Sequence, residues 1–152
     1  MSTILTLTVA LAASAATIFA QSPARFDQDE GRCSNHTLKG AYAMQISGTG
    51  RAPSGQAEIT IGVLIRVFDG AGKFTQFDYV KGTVSGLISN GPGSGTYSLD
   101  QNCMGEVTLN VPGLPFQVTE RMVVMDRGRE FRTANADPVD FLFITGVGKK
   151  VW

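Results

Sequence analysis

Beyond residue 36, apolar and polar residues alternate with a period of two over most of the chain. In 37–47, Leu38, Tyr42, Met44 and Ile46 share one face with Gly40 in register, while Lys39, Gln45 and Ser47 share the other. This alternation predicts a half-buried strand. The next stretch, 48–55, is rich in Gly, Pro and Ser and reads as a loop. Residues 56–68 form a longer alternating run. Ile59, Ile61, Val63, Ile65 and Val67 lie on one face, and Glu58, Thr60, Gly62, Leu64, Arg66 and Phe68 on the other. Asp69-Gly70-Ala71-Gly72 then predicts a tight hairpin, because glycine tolerates positive φ.

The return strand is expected over 73–80, and 83–89 continues it after a break at Gly82. Asn90-Gly91-Pro92-Gly93 reads as another turn, 94–99 as a short strand, and 100–104 as a turn. Strands follow at 105–111, 116–125, 129–133 and 140–147, separated by Pro112-Gly113, Pro115 and Asp126-Arg127-Gly128. Eight or nine short strands without a convincing helix predict an all-β fold. A single antiparallel meander barrel of about eight strands is expected, with a β-sandwich as the alternative. Short hairpins join neighbours in space, and closure removes exposed sheet edges.

The first twenty residues differ from the rest. They carry no charged side chain, and 4–20 is a run of Ile, Leu, Val, Ala and Phe broken only by Thr and Ser. Small Ala20 followed by Gln21-Ser22-Pro23 fits a signal-peptidase site, although no Lys or Arg precedes the apolar stretch. The expected organisation is a signal peptide at 1–20, a flexible polar lead-in at 21–32 and a barrel at 33–152. No later segment is apolar for long enough to cross a bilayer as a helix. The expected location is therefore the periplasm or the extracellular space.

Export changes how Cys33 and Cys103 are read. Two cysteines in an oxidising compartment suggest a disulfide, which in the chain-entropy model adds roughly 4 kcal/mol, less any strain. Thirteen Lys+Arg balance 13 Asp+Glu, and basic residues are scattered singly apart from Lys149-Lys150. This distribution argues against a nucleic-acid partner. His36 is the only histidine, and nothing beside it completes a metal site. No phosphate-binding, dinucleotide or nucleophile-elbow motif is present, and no cofactor is expected.

Several short stretches carry a resemblance. Cys33-Ser34-Asn35 followed by Thr37-Leu38-Lys39-Gly40-Ala41-Tyr42 resembles the opening of a group of uncharacterised exported bacterial proteins. Phe68 to Phe74 resembles their first hairpin. Gly95-Thr96-Tyr97-Ser98-Leu99 with Asn102-Cys103-Met104-Gly105 resembles a later one. Arg129-Glu130-Phe131, Gly146-Val147 and Lys149-Lys150 resemble their closing strands. The strand layout is also similar to the calycin-like barrels of the allene oxide cyclase and dirigent proteins, which hold an apolar molecule. That likeness is architectural and carries no catalytic position with it.

Candidate chemistry is sparse. Glu120 shares a face with Phe116, Val118, Met122 and Val124, so its carboxylate must find a partner or shift its pKa upward. Arg66 or Arg132 is the expected partner, and proton transfer inside a cup is the catalytic alternative. In Phe77-Asp78-Tyr79, either Asp78 or Tyr79 must point inward. Tyr42, Phe77, Phe116, Met122 and Arg132 are the candidate ligand contacts. Glu58 and Arg66, which share a face with Leu64 and Phe68, are expected as solvated surface, with a charge pair on the outer face as the alternative. The leading expectation is a binding or structural module able to hold a small apolar ligand. The alternatives are a cyclase or isomerase using Glu120, Asp78 or Tyr79, and a surface protein acting through oligomer or partner contacts.

Overall fold

A computed structural model describes residues 32–112, 114, 116–137 and 142–151. The expected signal peptide and most of the expected lead-in lie outside the described residues. Eight strands follow one another: β1 (Lys39–Arg51), β2 (Ala57–Asp69), β3 (Lys73–Gly82), β4 (Gly86–Leu99), β5 (Met104–Asn110), β6 (Val118–Met125), β7 (Glu130–Asp137) and β8 (Leu142–Lys150). Each pairs antiparallel with the next, and β8 pairs with β1, which closes the expected meander barrel. Among the described residues, no helix is long and apolar enough to cross a membrane.

One end of the barrel is a packed floor. Phe68 sits at its centre, with ring centroids 5.4 Å from Tyr42, 4.9 Å from Tyr97 and 5.5 Å from Phe131, all near edge-to-face. Each such pair adds about 1 kcal/mol beyond its buried area. Leu38, Val107, Met122 and Val124 fill the space around the rings. The segment preceding β1 is fastened beneath this layer. Asn35 Oδ1 accepts the Leu99 amide at 2.8 Å, and the Tyr97 hydroxyl donates to the carbonyls of Asn35 and Leu38. The Tyr42 hydroxyl donates to the Gly128 carbonyl in the β6–β7 turn. Burial is the main force pushing both tyrosine pKa values up, so both hydroxyls stay protonated donors.

The expected disulfide joins Cys33 to Cys103 across 70 positions of sequence. It ties this segment to the β4–β5 hairpin. That hairpin and the β2–β3 hairpin use the same turn chemistry. Asp69 Oδ1 accepts the amides of Ala71 and Lys73, and Asp100 Oδ1 accepts those of Asn102 and Met104. The residue three positions after the aspartate is left-handed in both, Gly72 at φ 108° and Cys103 at φ 63°. Cys103 therefore occupies a site that ordinarily favours glycine.

Three expectations are corrected. Residues 48–51 continue β1 instead of forming a loop, because their backbone pairs with β2, and as far as Gly50 also with β8. Residues 90–93 are not a turn. They lie inside β4, which pairs with β3 through Tyr79↔Asn90, Asp78↔Gly91 and Phe77↔Pro92, so two expected strands are one. Their glycines mark crowded or open wall positions rather than corners. Finally, Glu58 and Arg66 are buried within the barrel, not paired on its outer face.

Glycine positions give opposite predictions for the same substitution. A Cβ on Gly48 would stand 2.0 Å from the Phe143 carbonyl oxygen, a backbone atom that cannot step aside. Gly48→Ala is expected to lower stability by roughly 2 kcal/mol. A Cβ on Gly91 would meet nothing within 4 Å, so Gly91→Ala should change stability by less than about 0.5 kcal/mol. Urea unfolding of the two variants checks both values.

Candidate functional site

Strand β2 places Leu64, Arg66 and Phe68 on its inner face, which puts a guanidinium inside the barrel. Its side chain is 1% exposed, so every charge and donor must be matched within the protein. Strand β6 supplies the counter-charge. Arg66 Nη1 lies 3.0 Å from Glu120 Oε2, joining two strands that are not neighbours in the sheet. Arg66 Nε donates to Gln76 Oε1 at 3.0 Å, and Gln76 Nε2 donates to Asp78 Oδ2 at 2.8 Å. The Ser89 hydroxyl closes the chain by donating to the other Asp78 oxygen. The guanidinium also rests 4.5 Å from the centre of the Phe74 ring, a favourable cation–π position.

The result is a connected polar band above the aromatic floor. It runs Glu120, Arg66, Gln76, Asp78, Ser89 across four strands. Asn135 is the cross-strand partner of Glu120 at an irregular step of the β6–β7 register. Its Nδ2 is buried without a hydrogen-bond partner among the described residues.

Glu58, also on the inner face of β2, has a separate task. Its carboxylate accepts the Val84 and Ser85 amides and the Ser85 hydroxyl, which anchors the β3–β4 turn. Gly82 makes room for it, since a Cβ there would fall 2.0 Å from Glu58 Oε2. The Ser85 amide is the largest influence holding this carboxyl below its usual range. Burial opposes it, and the Ser85 hydroxyl and Val84 amide add to it.

An opening into the wall lies where β5 leaves β4. The 14-residue β4 pairs with the 7-residue β5 only over Ser94 to Leu99. The gap is a cleft of about 710 Å³ between β4 and the residues Val111, Pro112, Leu114, Phe116 and Gln117. Thr75, Pro92, Ser94, Asn110 and Gln117 form its outer rim. Gln76, Gly93, Val111, Leu114 and Phe116 are its less exposed lining. No lining residue carries a charge. Gln117 Nε2 donates to Asn110 Oδ1 at 2.9 Å, which fixes two amides on the rim. Gln76 belongs both to the cleft and to the polar band, so a molecule in the cleft would touch the middle link of that chain.

The sequence candidates separate into three places. Glu120 and Asp78 point inward and are joined through Arg66 and Gln76. Tyr79 and Phe77 face outward and are well exposed. Tyr42 and Met122 are packed in the core, and Phe116 lines the cleft. Arg132 is on the outer wall with Glu130, so Arg66 is the partner of Glu120. The proposed catalytic set of Glu120, Asp78 and Tyr79 is thus split between the two faces of the wall. The cleft residues Gln76, Asn110, Leu114 and Gln117 were not readable as a site, because strand alternation does not reveal where two paired strands part. Among the described residues, no group of three or more His, Cys, Asp or Glu side chains is placed to hold a metal ion.

Removing Glu120 leaves a buried guanidinium without its counter-charge. Glu120→Ala is expected to cost roughly 3–5 kcal/mol, whereas the double replacement Arg66→Met with Glu120→Leu should cost far less. Unfolding energies of the single and double variants test this difference. Glu58 predicts a pH effect of defined sign. Its carboxyl is more acidic folded than unfolded, so its contribution is present above the ordinary value of 4.5 and lost as pH falls through the lower folded value. The stability difference between wild type and Glu58→Gln should be constant from neutrality to about pH 5 and shrink below it.

Compared with known family models, curated proteins and solved structures, the chain matches none of them.

Proposed function

We propose that this protein is an exported, non-catalytic binding module that takes a small, uncharged, largely apolar molecule in the cleft between β4 and the residues Val111, Pro112, Leu114, Phe116 and Gln117. The observation that carries this reading is the cleft itself. Its volume of about 710 Å³ falls within the range of small-molecule sites, and apolar walls with a few fixed amides are their usual construction. Val111, Pro112, Leu114 and Phe116 supply the apolar surface, and Gln76, Asn110 and Gln117 the orienting amides. An ionic ligand would lose its hydration here without gaining a counter-charge.

Because one end of the barrel interior is packed with side chains, this reading puts the ligand in the wall cleft rather than on the barrel axis. The polar band then serves as a support that fixes Gln76. A cyclase or isomerase reading is less favoured, because Glu120 is neutralised by Arg66, Asp78 is held by Gln76 and Ser89, and Tyr79 points away. Export is supported by the apolar N-terminal stretch and by the disulfide, which persists in oxidising compartments.

Solvent extraction of natively purified protein, followed by mass spectrometry, should release an uncharged compound. The neutral dye Nile red should bind the emptied protein. Ser94→Trp places an indole at the cleft and should weaken dye binding at least about tenfold with an unchanged circular dichroism spectrum. Equal dye affinity in Ser94→Trp, or folded protein that yields no compound and binds no dye, contradicts the reading.

A further inference from the structure

The outer wall of the barrel is divided into two unlike halves. On β5, β6, β7 and β8 it carries ion pairs: Glu106 with Arg121, and Glu130 with both Arg132 and Lys149. On β1, β2 and β3 the outward residues between the strand ends include no charged side chain. Charges stand only at the ends, as Lys39, Asp69 and Lys73 on one side and Arg51 and Lys81 on the other. Between them lies an apolar ridge. Ile59 is 58% exposed, Ile61 58%, Val63 59%, Phe77 60% and Tyr79 45%.

The strand registers place these residues side by side. Val63 is opposite Tyr79, Ile65 is opposite Phe77, and Ile59 is next to Thr49, which in turn faces Phe143 of β8. The apolar patch is therefore continuous across β2 and β3, and on the β1 side it is bordered by the uncharged polar residues Gln45, Ser47 and Thr49. Its exposed apolar area is on the order of 600 Å², at the top of what monomers display and near the roughly 800 Å² each partner contributes to a stable complex.

We propose that this wall is the interface of a symmetric dimer, with a second copy of the same chain as its occupant. This inference is independent of the cleft. Closure of the barrel leaves no free edge for strand addition, so association must be face to face. A face without charges offers no feature for selecting a partner of opposite sign. It suits a partner whose surface is equally apolar and uncharged, and a second copy of the wall is such a surface. In a two-fold contact each residue meets a residue of the same patch, and the missing charges mean that no like-charge repulsion arises at its centre. The β-branched rows of β2 can interdigitate with those of the partner in the manner of packed sheets.

The test is sedimentation equilibrium on the full chain and on the form beginning at Gln21. Both should show a concentration-dependent dimer. Ile61→Lys with Val63→Lys puts two charges at the centre of the contact and should raise the dissociation constant by at least about a hundredfold. Phe77→Lys, on a different strand, should do the same independently. Val123→Lys, on the far wall, should leave the dimer intact, and circular dichroism should report a folded barrel in every case. Monomeric wild type overturns the proposal, as does a dimer insensitive to the β2 and β3 changes or equally sensitive to Val123→Lys. Association that requires residues 1–20 would identify that segment as the occupant and overturn it. So would binding to phosphatidylcholine vesicles in place of self-association.

Discussion

A guanidinium sealed inside a β-barrel decides most of what this structure is. Arg66 is buried on the inner face of β2, and Glu120 on β6 is its counter-charge. Because side chains alternate along a strand, fixing Arg66 inside fixes every other residue of β2. Leu64, Phe68, Thr60 and Glu58 go inward with it. Ile59, Ile61, Val63 and Val67 go outward, against the usual preference of such side chains. A slip of one residue would strand Phe68 in water and pull Ile61 and Val63 inside, but it would also separate Arg66 from Gln76 and Glu120. The buried pair is thus better understood as a register device than as a source of stability, the role for which buried ion pairs are best attested.

The barrel divides into levels with different physics. At the floor, Phe68 and the rings around it provide packing, and the Cys33 to Leu38 segment is bolted beneath them by Asn35, Tyr97 and the disulfide. The opening Cys33-Ser34-Asn35 and Leu38-Lys39-Gly40 stretches thus close one end of the barrel. Above the floor, apolar packing gives way to hydrogen bonds, each requiring its partner at a fixed distance. The mismatch in length between β4 and β5 then leaves a cleft beside Gln76. Rigid packing below and a fixed amide network behind hold the lining of this cleft in place.

Much of this fold was legible in the chain. Two-residue alternation, the Asp-Gly hairpin at 69–72 and the placing of both cysteines beside turns led to a closed meander with a bridge. The inward Glu120 and its need for an arginine were legible too, because a carboxylate among Val118, Met122 and Val124 has few alternatives, but the choice between Arg66 and Arg132 was not. The orientation of β2 was not. Hydrophobicity favours its aliphatic face as the buried one, and only the pairing of Arg66 with residues on β3 and β6 reverses that. The signal was present, since Leu64, Phe68 and Gly62 share the face of Arg66, but its weight depends on contacts distant in sequence. The glycines at 48–50 and 91–93 misled for a related reason. Local turn propensity was overridden by pairing across the barrel, where Gly48 is required by the closeness of β8.

The inward orientation of Arg66 is measured most directly by side-chain NMR of the folded protein. The Nε–H of Arg66, bonded to Gln76 and beside the Phe74 ring, should exchange with water far more slowly than that of Arg132 and show a nuclear Overhauser contact to Phe74. A rapidly exchanging Arg66 Nε–H, together with Ile61 and Val63 methyl groups in contact with Phe68 or Phe74, would contradict the account.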